Sequence, residues 1–239
     1  MSFVEKLVQA YFNIAYNQVY DYTTAGLSLY QKLQEGCIGK FTLRNDDKVL
    51  CVGVGTGNEI SYILEMNKNV RITGVDYSST ALRKAHRKAL RLGKEIELIL
   101  MDARHLDFTA GSFDKVLCLH VTDFIGESED VTNEIFRVLR DGGQFVITYP
   151  SDKEGPKLGM NLLKDRFRHD INSMNYIKAL LKILVRIVMG TVYLPLLLRP
   201  KNKFYSHNEL EAMFLNLVAG DFQIDEYPMY QDFIVYGTK

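Results

Sequence analysis

Three glycines at alternate positions, Gly53, Gly55 and Gly57, close the segment Val49-Leu50-Cys51-Val52-Gly53-Val54-Gly55-Thr56-Gly57. Glycine is needed where a backbone must turn tightly and a ligand must come close against it. The β-rich run before the cluster places that turn at the end of a strand. The spacing is G-x-G-x-G; counted from Gly53, the sixth position is Asn58, so the dinucleotide fingerprint G-x-G-x-x-G is not met. No Gly-Lys-Ser/Thr follows, which excludes a phosphate-binding P-loop. Nineteen residues past Gly57 stands Asp76, at the end of a second apolar run. In doubly wound sheets an acid at that place accepts hydrogen bonds from ribose hydroxyls. A third run ends at Met101-Asp102-Ala103, where a side chain can reach an adenine edge. A fourth ends at His120, a residue suited to taking a proton near neutral pH, with Asp123 three positions on to orient it or to act as the base itself. Both also have a plainer reading, as a pocket-shaping histidine and a loop acid.

The elements that must position these residues alternate. Lys48–Gly53, Val70–Val75, Glu95–Met101, Phe113–Leu119 and Gln144–Tyr149 read as strands, and Asn58–Asn67, Ser78–Leu92 and Ser128–Arg140 as helices between them. Strand–helix alternation implies right-handed crossovers and a mainly parallel sheet covered on both faces. Its ligand edge is the carboxyl edge, where residues 53–57, Asp76 and Asp102 all fall. Ser206–Val218 reads as a helix opened by a Ser206/Glu209 capping box. Phe222–Tyr227 and Asp232–Tyr236 then form a hairpin, so one of the last strands runs antiparallel. The fold class expected is α/β: a doubly wound, mostly parallel, seven-stranded sheet with an antiparallel edge strand, an N-terminal helical lid and a helical insertion after the fifth strand. The divisions are a lid over 1–40, the sheet domain over 41–149 and 206–239, and an insertion over 150–205.

Composition removes several classes. The 239 residues carry 29 Lys+Arg against 29 Asp+Glu, so the chain lacks the basic footprint of non-specific nucleic-acid binding. Its three cysteines, Cys37, Cys51 and Cys118, lie far apart with no CxxC pair, which argues against a disulfide framework or a thiolate zinc site; no metal is expected. The greasiest segment, Ile187–Leu198, is twelve residues long and interrupted by Gly190 and Pro195, short of the roughly 20 that span a bilayer. The first ten residues lack a signal-peptide run. A cytoplasmic, peripherally membrane-associated location is the expectation.

On the residues VLCVGVGTG, the Asp76 strand end, MDA at 101–103, FDKVLCLHV at 113–121 and EIFRVLRDGGQFVIT at 134–148, the chain resembles the class I, Rossmann-like S-adenosylmethionine-dependent methyltransferases. The pattern is most similar to the ubiquinone/menaquinone methyltransferase branch. The resemblance covers roughly 45–150 and 204–239. It implies S-adenosyl-L-methionine as cofactor and S-adenosyl-L-homocysteine as product. It further implies Gly53, Gly55 and Gly57 against the methionyl part, Asp76 on the ribose, Asp102 and Ala103 on the adenine, and Tyr77 flanking the adenine ring. Tyr20-Asp21 resembles the tyrosine–aspartate box of the lid in many such enzymes, and an aromatic face attracts a sulfonium. His120 would then lie near the reacting methyl. Two departures stand out. Cys51 occupies a position that is often acidic in the family, so cofactor contacts there are weaker or supplied elsewhere. Asp141 replaces the usual proline before Gly-Gly, which alters only the turn.

The acceptor is expected to be a small lipophilic molecule: a quinone, an isoprenoid or a lipid-like compound. The Asn/Asp-Pro-Pro-Tyr/Phe motif of nucleic-acid amino-methyltransferases is missing at the fourth strand end, which reads Leu119-His120-Val121-Thr122. Within the insertion, Lys178, Lys182 and Arg186 recur at i, i+4 and i+8 on an otherwise apolar helix. Such helices lie on anionic membrane surfaces, so residues 176–198 are expected to serve as an acceptor lid in peripheral membrane contact. A buried lid helix or a dimer face is the competing reading. The alternative in function is a non-catalytic S-adenosylmethionine-binding partner or sensor; a nicotinamide-dependent oxidoreductase is disfavoured by the missing fingerprint.

Overall fold

The computed structural model describes residues 3–24, 28–125, 128–151, 164–165, 168–169, 172, 176–193, 204–217, 221–227 and 232–239. Residues 152–163 of the expected insertion, its apolar run beyond 193 and the turn of the last hairpin lie outside the described residues.

Seven strands form one sheet: β1 (Lys48–Val52), β2 (Arg71–Asp76), β3 (Glu97–Leu100), β4 (Phe113–Cys118), β5 (Leu139–Pro150), β6 (Phe222–Tyr227) and β7 (Asp232–Thr238). Their order is β3-β2-β1-β4-β5-β7-β6. β1 to β5 are mutually parallel, and β7 pairs antiparallel with both β5 and β6. The expected antiparallel strand is therefore present, one place in from the edge; β6 forms the edge itself. The reason lies in the strands' composition. β7 carries the continuous apolar run Phe233-Ile234-Val235, buried on both faces, whereas β6 exposes Gln223 and Glu226. A strand buried on both faces belongs inside a sheet, and a charged one protects an edge.

Register fixes what meets at the carboxyl edge. Val52 of β1 lies beside Val75 of β2 and Cys118 of β4. Because β7 runs backwards, its first residue, Asp232, lies beside Pro150 at the end of β5. The start of β7 thus reaches the same edge as the ends of β1, β2 and β4.

The helices are α1 (Phe3–Tyr11), α2 (Asn17–Thr24), α3 (Ser28–Ile38), α4 (Asn58–Met66), α5 (Ser79–Arg91), α6 (Ser128–Val138), α7 (Tyr176–Gly190) and α8 (His207–Leu217). Successive strand residues face opposite layers. Val116 and Phe145 join a core with Ile135 of α6 and Phe214 of α8, while Leu117 and Val146 join a second with Leu33 of α3 and Ile60 of α4. Each such large apolar side chain contributes on the order of 1.5–3 kcal/mol by leaving water. Within the expected N-terminal helical lid, a π-helical turn at Phe12–Tyr16 separates α1 from α2. That extra residue per turn re-aims Phe12 and Tyr16, and such turns concentrate at functional sites. Ser78 caps α5 by accepting from the Ala81 N–H at 3.2 Å, and the Ser206/Glu209 capping box forms at α8.

Candidate cofactor and acceptor site

A cavity of about 270 Å³ opens over the carboxyl edge of β1, β2 and β4. One side is the glycine turn. Gly53 and Gly55 take left-handed backbones, with φ of +67° and +52°. A Cβ on Gly53 would stand 2.1 Å from Val121 Cγ2, so the turn can pass β4's end only without a side chain. A Cβ on Gly55 would meet nothing closer than 3.8 Å; its backbone borders open cavity.

Asp76 braces this turn. One carboxylate oxygen accepts from Gly55 N–H and the other from Ser78 N–H, each at 2.8 Å. Burial raises its carboxyl above the ordinary range, and the Ser78, Gly55 and Tyr77 N–H groups oppose that rise. Each oxygen has two acceptor sites, so the carboxylate retains capacity toward the cavity it lines. Tyr77, Asp102 and Ala103 line the same cavity. Asp102 is gripped by Arg104, which lies two residues on: Nη2 reaches its carboxylate at 2.7 Å, and the Arg104 backbone N–H donates at 2.9 Å. Burial alone would raise the Asp102 carboxyl; the guanidinium outweighs it and holds it low. That ion pair is not apparent from the strand-end pattern.

The N-terminal helices close the site from above. Asn17 Nδ2 donates to Ser78 Oγ at 2.9 Å, and Gln9 Nε2 donates to the Tyr77 carbonyl at 2.9 Å. Asp21 accepts from Thr56 Oγ1, inside the glycine turn, at 2.6 Å and from Lys88 Nζ at 2.8 Å. Tyr20 lines the cavity and meets the Tyr30 hydroxyl at 2.6 Å; burial, then the neighbouring Tyr30 and Tyr16, push its phenol well above the ordinary value. Phe12, Tyr16 and Phe124 add a wall of edge-on rings, with Phe12 and Tyr16 centroids 4.9 Å apart.

His120 occupies the far wall at the end of β4. Its backbone is left-handed, with φ of 56°, and its N–H donates to Thr148 Oγ1 at 2.8 Å. Its Nδ1 lies 3.2 Å from Asp123 Oδ2, as the spacing suggests, and 3.3 Å from Asp232 Oδ2, which it does not suggest. Burial alone would lower the imidazole pKa; Asp232 and then Asp123 overcome it and push it up to about 9. At neutral pH His120 therefore holds its proton. The three ligand-type atoms lie within 4.8 Å of one another. Nδ1 hydrogen-bonds Asp123 Oδ2, while Asp232 Oδ2 at 3.3 Å acts on the imidazolium as a nearby charge. Glu59, in the first turn of α4, also lines the cavity and was missed by sequence reasoning; it is 8% exposed and accepts from Gln34 Nε2 at 2.9 Å. The only hint was an acid in the first turn after the glycines, which serves equally as a helix-dipole partner.

The residues fit the cofactor that the sequence implies. The glycine turn exposes backbone to the cavity, Asp76 ends the next strand, and Asp102 with Ala103 follows the strand beyond it. Tyr77, Tyr20, Gly53 and Gly55 line one space with His120 across it; Gly57 does not line it, its open side facing Ala85 and Ile60, and Asp123 reaches it only through His120.

Residues 50–147 match the methyltransferase domain family. Among curated proteins, the chain is 37% identical over 128 residues to phosphatidylethanolamine N-methyltransferase of Cereibacter sphaeroides, covering 52% of this chain and 61% of that one. It is 29% identical over 109 residues to demethylmenaquinone methyltransferase of Thermus thermophilus, covering 45% and 50%. The matches thus span half to about three-fifths of these relatives' length. Among solved structures, magnesium protoporphyrin IX methyltransferase of Synechocystis, with bound SAH, aligns over 98% of this chain and 99% of that chain, with a TM-score of 0.64 and 12% identity. A likeness at that identity speaks for the fold.

Proposed function

Because the chain belongs to the class I S-adenosylmethionine-dependent methyltransferases, we propose that it transfers the methyl group to a small lipophilic acceptor such as a quinone, an isoprenoid or a lipid-like molecule. The observation that carries this reading is the composition of the cavity: a polar end at Asp76 and Asp102, and an aromatic end at Phe12, Tyr16 and Phe124.

The cofactor, when bound, supplies a methyl already activated on a sulfonium. The protein's part is positioning and the exclusion of water. Gly53 and Gly55 would admit the methionyl part, with Gly57 closing the turn against Ala85 and Ile60; Asp76 would accept the ribose hydroxyls, and Ala103 and Tyr77 would border the adenine. Asp102, held by Arg104, contributes one carboxylate oxygen at that edge. Tyr20 and its aromatic neighbours close the acceptor end. His120, oriented by Asp123 and Asp232, presents its proton at neutral pH and so anchors a polar atom of the acceptor by donation. The imidazolium has no lone pair to spare, so a proton leaving the acceptor goes to a carboxylate oxygen of Asp123 or Asp232 beside it.

The reading extends to the acceptor's route. Helix α7 exposes Ile177 at 66% and Val188 at 69%, with Leu181 and Leu184 also exposed and the ammonium groups of Lys178 and Lys182 on its surface. Large exposed apolar patches mark docking surfaces, and a cationic rim favours an anionic bilayer. No helix among the described residues is long and apolar enough to cross a membrane. Tyr11 of α1 bonds the Val192 carbonyl just beyond α7, which ties this surface to the lid. Relatives whose names give a phospholipid or a menaquinone precursor as substrate support a lipophilic acceptor.

The experiment is a turnover assay with labelled S-adenosylmethionine and a membrane extract. S-adenosylhomocysteine release together with label in the organic phase is the expected result. Binding without release, for every extract tried, would favour a sensor over an enzyme. Co-sedimentation with anionic liposomes, absent with neutral ones, is expected for the docking helix.

A further inference from the structure

S-adenosylmethionine carries an ammonium at its methionyl end, and a buried ammonium needs an anionic or strongly accepting partner. Three acids are found among the described residues lining the cavity: Asp76, Asp102 and Glu59. Asp102 already lies in the Arg104 fork, away from the glycine turn along the sheet edge. Asp76 braces Gly55 and Ser78 from the end of β2, the position of the sugar. Glu59 alone of the three stands on the element that the glycine turn opens into, two residues past Gly57.

Its surroundings suit a waiting cation. Glu59 is 8% exposed, and the donor that meets its carboxylate, Gln34 Nε2, is a neutral amide. Lys88, the nearby ammonium, is instead spent on Asp21, Thr56 and Asn58. Burial raises the Glu59 carboxyl above the ordinary range, opposed by its own backbone N–H, Gln34, His120 and Lys88. An arriving ammonium would relieve that desolvation. Cys51, at the β1 position that is often acidic in the family, is a buried thiol and offers no charge there.

We propose that Glu59, held in place by Gln34 of α3, is the carboxylate that receives the ammonium of the methionyl end, a charge that β1 itself does not supply. The proposal rests on S-adenosylmethionine being the cofactor.

The test uses two probes on the full chain by calorimetry: S-adenosylhomocysteine, which keeps the amino acid, and 5′-methylthioadenosine, which lacks it. For Glu59→Gln the expected result is a loss of S-adenosylhomocysteine affinity of about tenfold or more, with 5′-methylthioadenosine changed by less than about twofold. Equal loss for both probes, or no loss for either, overturns the proposal, since a residue that only packs α4 against α3 would not distinguish them. If Glu59→Gln does not fold by circular dichroism, Glu59→Asp carries the same comparison. It keeps the charge but withdraws it by one methylene, and the same selective loss is expected. Wild-type protein that binds neither probe would overturn the cofactor reading, and this inference with it; binding of both with no selectivity in the variants sinks this inference alone.

Discussion

The two halves of the cavity are built by different means. The half we propose for the cofactor comes from consecutive strand ends: the turn after β1, Asp76 closing β2 and Asp102 after β3. Each group follows its strand directly and is held by its own neighbours, as Asp76 is by Gly55 and Ser78, and Asp102 by Arg104. The acceptor half is assembled from distant pieces: His120 after β4, Asp232 at the start of β7, Tyr30 from α3, Phe12 and Tyr16 from the π turn. The first half is held by contacts within a few residues, the second by contacts between elements remote in the chain. The halves touch at Gly53 and Val121, and that contact is where the comparison breaks most easily.

Gly53→Ala is expected to have the largest effect. The new Cβ would stand 2.1 Å from Val121 Cγ2, on a backbone with φ of +67°. A left-handed alanine costs about 1–2 kcal/mol, and overpacking adds about 1–3. Chemical denaturation should show about 3 kcal/mol lost, with S-adenosylhomocysteine binding abolished. Adding Val121→Ala should return the overpacking part and leave the backbone part. Full recovery in the double variant would mean that the turn's hand matters little.

Asp76→Ala comes next and should act on binding, since its carboxylate also braces the turn. Removing a charged hydrogen-bonding partner is expected to weaken S-adenosylhomocysteine by about 2 kcal/mol, roughly thirtyfold. An unchanged calorimetric affinity would place the sugar elsewhere.

Asp232→Asn probes the assembled half. The His120 pKa stands at about 9 against an ordinary 6.5, so the folded state binds its proton more tightly than the unfolded one. The stabilisation is complete below the ordinary value and is lost as pH rises through about 9. Wild-type stability should therefore fall between about pH 7 and 10, beyond whatever other groups contribute. Asp232→Asn removes one of two carboxylates, so the His120 titration should move down toward neutrality, with about 1 kcal/mol less stability at pH 7. The imidazole chemical shifts followed by NMR across pH report this directly; an unmoved titration in the variant would leave Asp123 as the sole effective partner.

How far each half can be read in the sequence follows from the same difference. Gly53, Gly55, Gly57, Asp76 and Asp102 are legible because period-2 apolar runs mark where strands end and the alternating order aligns those ends. His120 and Asp123 are legible as a pair by spacing alone. Asp232 is not, because its place depends on β7 running backwards beside β5, a pairing made by residues remote in the chain. Yet the neighbours held a usable signal: Phe233-Ile234-Val235 is an interior run, and Asp225-Glu226 belongs to an edge. Reading those two runs against each other would have put β7 inside the sheet and its first residue at the ligand edge. The π turn at Phe12–Tyr16 carries no such mark, since Tyr11 through Tyr16 fit an ordinary helix equally well.

The smallest expected effect lies where the lid fastens to the locally built half. Asp21 accepts from Thr56 in the glycine turn and faces Lys88 at 2.8 Å and Lys84 at 3.8 Å, with about a third of its side chain exposed. Asp21→Asn keeps an acceptor for Thr56 but removes the charge. Partly solvated pairs of this kind contribute about 0.2–1 kcal/mol, so the melting temperature should fall only slightly. The kinetics should respond more than the equilibrium, because the latch holds the lid over a cofactor half that stands without it. Stopped-flow measurement should give a faster S-adenosylhomocysteine dissociation rate, by about two- to fivefold, with the effect shrinking as salt screens the wild-type pair. A dissociation rate insensitive to both the substitution and salt would mean that the N-terminal helices do not gate the cofactor, and that the assembled half, too, is held by the sheet.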